Sequence, residues 1–186
     1  MYEVEVKVPA DLDTVRGRVQ DLGATPIETV LQEDRYYDAP HRSFGETDEA
    51  LRIRREEPLD EGGRSRTAEA RTRLTYKGPL VDERSKTREE VETAVDDAEA
   101  LDAILKHLGF EPAVTVRKER ESYRYEGYTI TLDAVAGVGA YVEVERTATA
   151  ADREAASDGA FEVLDVLGLD PDATIQTSYL ELLLQE

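Results

Sequence analysis

Charged residues in this chain recur at alternate positions, sorted by sign. Acid pairs stand at Glu3/Glu5, Glu90/Glu92 and Glu143/Glu145, and Asp133 closes the run "TITLD". Basic residues stand at Arg52/Arg54, Arg73/Lys77 and Lys118/Arg120; Arg88 precedes Glu90 at the same parity, and Arg124 continues that of Lys118. A spacing of two puts both members of a pair on one face of an extended strand. Carboxylates on neighbouring strands offer hard oxygen ligands to a divalent cation such as Mg²⁺ or Mn²⁺. Arginine and lysine hold the oxygens of a polyanion.

The elements that would carry these residues are mostly strands. "MYEVEVKV" alternates without a break, with Val4, Val6 and Val8 opposite Glu3, Glu5 and Lys7. Further strands are expected over Ile27–Tyr37, Ala50–Arg55, Glu69–Lys77, Lys86–Val95, Val114–Tyr125, Tyr128–Val135 and Ala140–Thr147, with "GPLVDERS" read as a turn. Helices are expected after "PAD", where Leu12, Val15, Val19 and Leu22 share a face and Gly23 ends the run. Others are expected over Asp97–Leu108, through Leu101, Ile104, Leu105 and Leu108, and over Ala150–Leu167, with a short one near Ser178–Leu184. Strands outnumber helices and many connections are hairpin-like, which predicts an α+β class with a largely antiparallel sheet.

A solvated strand face would explain any single charged pair. Two features favour an interior for the set. Lysine is scarce, occurring only at Lys7, Lys77, Lys86, Lys106 and Lys118, and three of these five sit on the charged parity of a strand. Eight strands are also enough to close a barrel. With helices covering the Val/Leu/Ile faces outside, the charged faces would point inward, where unpaired charge is costly. A ligand carrying both a divalent cation and a polyanion would compensate both signs. That describes a nucleotide or an inorganic polyphosphate.

Composition narrows the alternatives. The 186 residues, 40% of them apolar, suit one domain spanning 1–186. The net charge of -19, from 42 acidic and 23 basic residues, disfavours nucleic acid and anionic membranes as partners. Excess acid with scarce lysine resembles the proteins of salt-loving organisms. There is no cysteine, and His41 and His107 are the only histidines, so thiolate and His-rich metal sites are excluded. No apolar run reaches a membrane span, and Glu3, Glu5 and Lys7 interrupt any signal-peptide core, so a cytoplasmic protein is expected.

The residues then resemble a family. "EVEVK" resembles the ExExK signature of CYTH proteins, the triphosphate tunnel metalloenzymes. In order along the chain, "DRYYDAP", "TDEALRIRR", "LTYKGP", "SKTREEVE", "VRKERESY" and "LDAVAGVGAYVEVE" match as well, and the wording is closest to the class IV adenylyl cyclase branch. The resemblance implies an eight-stranded antiparallel tunnel with helices packed outside. It implies metal ligands at Glu3, Glu5, Asp133, Glu143 and Glu145, and triphosphate binders at Lys7, Arg52, Arg54, Lys77, Arg88, Lys118 and Arg120, with Glu3, Glu5 and Lys7 as the catalytic strand. Tyr36 and Asp38 match a strand end, and Tyr37 would either touch a base or cap the barrel. The implied cofactor is Mg²⁺ or Mn²⁺ and the partner a triphosphate-containing small molecule, ATP or polyphosphate. The leading activity is conversion of ATP to cyclic AMP and pyrophosphate. Hydrolysis of inorganic triphosphate, thiamine triphosphate or a nucleoside triphosphate is the alternative, and a non-enzymatic binding module a second. Some such cyclases carry a His-Phe pair ahead of ExExK; Met1 and Tyr2 leave no room for it here, which weighs toward hydrolysis. A homodimer through the outer helices is left open.

Overall fold

The computed structural model describes residues 2–60, 62–81 and 85–184. Among them the chain forms β1 (Tyr2–Pro9), α1 (Leu12–Asp21), β2 (Thr25–Asp38), β3 (Ala50–Pro58), β4 (Arg71–Leu80), β5 (Lys86–Ala94), α2 (Ala98–His107), β6 (Glu111–Tyr125), β7 (Tyr128–Val135), β8 (Gly139–Ala148), α3 (Arg153–Val166) and α4 (Tyr179–Leu184). The strands close an antiparallel barrel in the order β1-β5-β4-β3-β2-β6-β7-β8. The expected eight-stranded barrel with outer helices is therefore the fold.

Register fixes which side chains look inward. β8 returns to β1 with Glu5 opposite Glu145 and Lys7 opposite Glu143. β5 flanks the other edge of β1, with Glu3 opposite Arg88 and Glu5 opposite Lys86. Because side chains alternate, Val4, Val6 and Val8 must face outward, where all three are buried. Val6 and Val8 pack with Ile130, Leu132, Val142 and Val144 of β7 and β8 beneath Val15 and Val19 of α1 and Ala160, Val163 and Leu164 of α3. Each such valine contributes roughly 1.5–3 kcal/mol by leaving water. The main apolar core thus lies outside the barrel wall, between sheet and helices.

Local signals set the helices. The Asp11 side chain accepts from Thr14 N at the start of α1, and Asp97 caps α2 by accepting from Ala100 N. Gly159 lets α3 settle onto the sheet, since a Cβ there would fall 2.1 Å from the Tyr128 hydroxyl. That hydroxyl donates to Ala156 O of the same helix. α2 departs from its expected apolar face. Leu105 is buried and Leu101 packs beside it, but Ile104 and Leu108 stay exposed.

Several strand boundaries move by one to three residues, and two of the shifts matter for the site. β4 runs on through Gly78–Leu80, which "GPLVDERS" as a turn had excluded, because Leu80 still pairs with Arg88 of β5. Residues 82–84 of that turn lie outside the described residues. β3 continues to Pro58, which brings Glu56 into the inward set.

Candidate functional site

The inward faces enclose a tunnel-like cavity of about 520 Å³. That lies within the usual range for small-molecule sites, about 300–1,000 Å³. Glu3, Glu5 and Lys7 line it from β1, Arg52 and Arg54 from β3, Lys77 from β4, Lys86, Arg88 and Glu90 from β5, Lys118 and Arg120 from β6, and Glu143 and Glu145 from β8.

On the β8-β1-β5 side the charges are only loosely matched. The buried Lys7 ammonium lies 4.0 Å from Glu5 Oε1 and 3.9 Å from Glu143 Oε1, and has no hydrogen-bond partner among the described residues. Glu5 Oε1 also lacks one, with Lys86 Nζ 3.7 Å away. Burial, reinforced by the charge of Lys86, pushes the Lys7 ammonium down to about 7 against the pull of Glu5 and Glu143. Burial and the neighbouring Glu3, Glu143 and Glu5 push the Glu145 carboxyl up to about 8. Oxygens of Glu5, Glu143 and Glu145 lie within 4.8 Å of one another. Three carboxylates converging on one point, one with an orphaned buried oxygen, suit a hard divalent cation.

The β3-β2-β6-β7 side is closely paired. Arg54 clamps Asp34 through two hydrogen bonds of 2.6 Å, and Arg52 adds a third at 3.3 Å. Arg120 grips Asp133 in the same two-pronged way, at 2.6 and 2.5 Å, while Lys118 donates to it at 2.9 Å. Arg120 also donates to Glu143, linking the two sides. Burial alone would raise the Asp34 carboxyl, but the Arg54 and Arg52 guanidiniums outweigh it and hold it well below the usual carboxylate range. At the tunnel edge Lys77 donates to Glu3 at 2.5 Å and lies 2.9 Å from Glu90.

The CYTH domain model matches residues 1–179. The chain belongs to the CYTH family. It is 39% identical, over 98% of both chains, to a protein of Methanocaldococcus jannaschii named "Putative adenylate cyclase MJ0240". The PH1819 protein of Pyrococcus horikoshii superposes with a TM-score of 0.87 at 38% identity, covering 98% of each chain. An adenylyl cyclase-like protein of Hippeastrum, described as having a dominant triphosphatase activity, shares the fold at 18% identity and a TM-score of 0.66, over 99% of this chain and 95% of its own.

Within this CYTH tunnel, Glu5, Glu143 and Glu145 meet in one cluster, while Glu3 is held by Lys77 and Asp133 by Lys118 and Arg120. Asp133, with no exposure, is not part of the cavity lining. Arg88 lines the cavity, but its guanidinium donates to Gly78 O, Asp48 O and Asp48 Oδ1, pinning the 44–49 loop at the tunnel end. Arg124 keeps the inward parity but is exposed at the strand's end. Tyr37 faces outward, donating to Asp102 of α2, so it contacts no ligand in the tunnel. His41 and His107 are both exposed.

Sequence reading passed over several lining residues. Gln32 of β2 and Glu56 of β3 face the interior and hydrogen-bond each other at 2.6 Å. Asp34, behind the lining, was passed over as well, although its shared parity with Tyr36 could have found it. Lys86, at the start of β5, also lines the cavity. Tyr179 of α4 had no sequence signal: its ring lies 4.2 Å from Lys7 Nζ and 4.7 Å from Lys118 Nζ.

Proposed function

We propose that the protein is a divalent-metal-dependent enzyme that binds a triphosphate in the tunnel and converts ATP to cyclic AMP and pyrophosphate, as a class IV adenylyl cyclase does. The observation that carries this reading is the convergence of Glu5, Glu143 and Glu145 beside the unpaired Lys7 ammonium, inside a cavity that Arg52, Arg54, Lys77, Lys118 and Arg120 also line. These three glutamates would hold Mg²⁺ or Mn²⁺, and Glu3, whose carboxylate Lys77 engages, would join them as the ligand lying furthest out. A divalent ion bound there supplies Lewis-acid polarisation of the phosphate oxygens.

The chain's own residues do the rest. Lys7, Arg52, Arg54, Lys77, Lys118 and Arg120 surround the phosphate oxygens and offset the charge that develops as the bond to the leaving group breaks. Asp34 and Asp133 position those cations, holding Arg54, Arg120 and Lys118 in fixed orientations before substrate arrives. In the cyclase reaction the ribose 3′-hydroxyl gives up its proton to solvent, its oxygen bonds to the α-phosphorus, the bond from that phosphorus to the oxygen bridging to the β-phosphorus breaks, and pyrophosphate leaves. The CYTH relative from Methanocaldococcus jannaschii, named for this activity, supports the reading.

Hydrolysis of the terminal phosphoryl group is the second reading. It is favoured by the triphosphatase activity described for the Hippeastrum protein of the same fold. Parallel incubations of the full chain with ATP and with tripolyphosphate, under Mg²⁺ and Mn²⁺ and at low and molar salt, separate the two. Cyclic AMP and pyrophosphate in equal amounts are expected. Phosphate release with no cyclic nucleotide transfers the assignment to triphosphatase, and no turnover of either substrate under any metal or salt removes the enzymatic reading.

A further inference from the structure

One group beside this centre is unaccounted for by either reaction. α4 closes over the barrel end where β1 and β6 bring Lys7 and Lys118 together. It is well seated there. Ile175 N donates to Lys7 O at 2.8 Å, fastening the segment before the helix to β1. Ser178 and Glu181 form a reciprocal cap, Ser178 N to Glu181 Oε2 at 2.6 Å and Glu181 N to Ser178 Oγ at 3.1 Å. Leu182 and Leu183 pack with Val116, Val135 and Tyr141 in an apolar collar.

Tyr179, at the start of this helix, is buried and reaches into the cavity. Its ring rests 5.3 Å from that of Tyr141 and covers both lysine ammoniums. Its hydroxyl is fully buried and has no hydrogen-bond partner among the described residues. For packing and for the ring–ammonium contacts a phenylalanine would serve, and without the cost of an unpaired buried hydroxyl. Two other groups of the same cavity are orphaned, the Lys7 ammonium, which the Tyr179 ring covers at 4.2 Å, and Glu5 Oε1, 4.0 Å from that ammonium. Two of these three orphaned groups, the Tyr179 hydroxyl and the Lys7 ammonium, are donors facing one cavity, and an anionic oxygen would give both an acceptor; Glu5 Oε1 is left to a cation.

We propose that Tyr179 is a substrate-contacting residue, its hydroxyl donating to the same phosphoryl oxygens that Lys7 and Lys118 neutralise. The C-terminal helix thereby completes the phosphate site as well as covering the barrel end. The proposal rests on the triphosphate reading above and adds a subsite that the strands alone do not provide.

The test is calorimetric titration of metal-free full-length protein with tripolyphosphate, comparing wild type, Tyr179→Phe and Leu183→Ala. Tyr179→Phe keeps the ring and its packing, so its melting temperature should equal or exceed that of wild type. Its tripolyphosphate affinity should fall about tenfold, the effect of one hydrogen bond to a charged group. Leu183→Ala loosens the seat of α4 without removing the hydroxyl and should bind as wild type does. Wild-type affinity in Tyr179→Phe overturns the proposal while leaving the triphosphate reading intact. Equal losses in Leu183→Ala and Tyr179→Phe overturn it in favour of a purely structural helix. Failure of the wild-type protein to bind tripolyphosphate overturns both readings together.

Discussion

The two walls of the tunnel are built from the same residue types and behave differently. On the β3-β2-β6-β7 wall the buried aspartates meet their bases at hydrogen-bond distance, Asp34 with Arg54 and Asp133 with Arg120 and Lys118. On the β8-β1-β5 wall the nearest contacts of Lys7 are 3.9 and 4.0 Å, and Glu5 and Lys7 each keep an unsatisfied atom. The closely paired wall satisfies its two buried aspartates within the protein, which fixes the geometry of Arg54, Arg120 and Lys118, although Arg52 Nε, Gln32 Oε1 and Thr131 Oγ1 lack partners there too among the described residues. The loose wall leaves charge to be satisfied by a ligand, which is how a site holds binding energy in reserve. Native proteins accept such local cost where function requires it.

The sharpest way to break this contrast is to unpair the satisfied wall. Asp133→Asn leaves Arg120 and Lys118 without their buried carboxylate. We expect a loss of about 3–5 kcal/mol, read by urea unfolding of the metal-free protein. A variant as stable as wild type would show that the two walls do not differ in this way. Glu5→Gln on the other wall should instead leave the melting temperature unchanged and lower metal-dependent turnover of ATP or tripolyphosphate by about a hundredfold or more.

Lys7→Met should raise stability, by about 1 kcal/mol at pH 6, while weakening tripolyphosphate binding. The sign follows from linkage. The Lys7 ammonium sits at about 7 in the folded chain against an ordinary 10.5, so below pH 7 the fold holds a charge it disfavours. A melting temperature lowered by this change at pH 6 would count Lys7 among the satisfied groups.

The smallest effect concerns Glu145. Its carboxyl is raised to about 8 from an ordinary 4.5, so between those values the folded chain keeps a proton that the unfolded chain has lost. Its contribution therefore falls as pH rises through that window, and Glu145→Gln should flatten the melting-temperature profile of metal-free protein between pH 5 and 8. Added Mg²⁺ or Mn²⁺ should raise the wild-type melting temperature more at pH 8 than at pH 5, because the ligands must be deprotonated to bind. An unchanged slope in the variant would remove Glu145 from the loose wall.

Much of this was legible in the chain because strand alternation is a local property. Once "EVEVK" is a strand, Glu3, Glu5 and Lys7 share a face whatever surrounds them, and the same holds for Arg52 with Arg54 and Glu143 with Glu145. The same periodicity supplied about eight strands, enough to close a barrel; that they do close, with the valines outward, was an expectation from the family resemblance. The sequence thus determined which residues face the ligand side and what chemistry they could offer. Which acid meets which base depends on register between strands far apart in the chain, and only the tertiary structure decided that. Register brings Glu5, Glu143 and Glu145 together, assigns Asp133 to Arg120 and Lys118, and ties Arg88 to the Asp48 loop. Tyr179 was hidden for the same reason, since nothing near "SYLELLL" records that this short helix folds back more than 170 residues to cover Lys7.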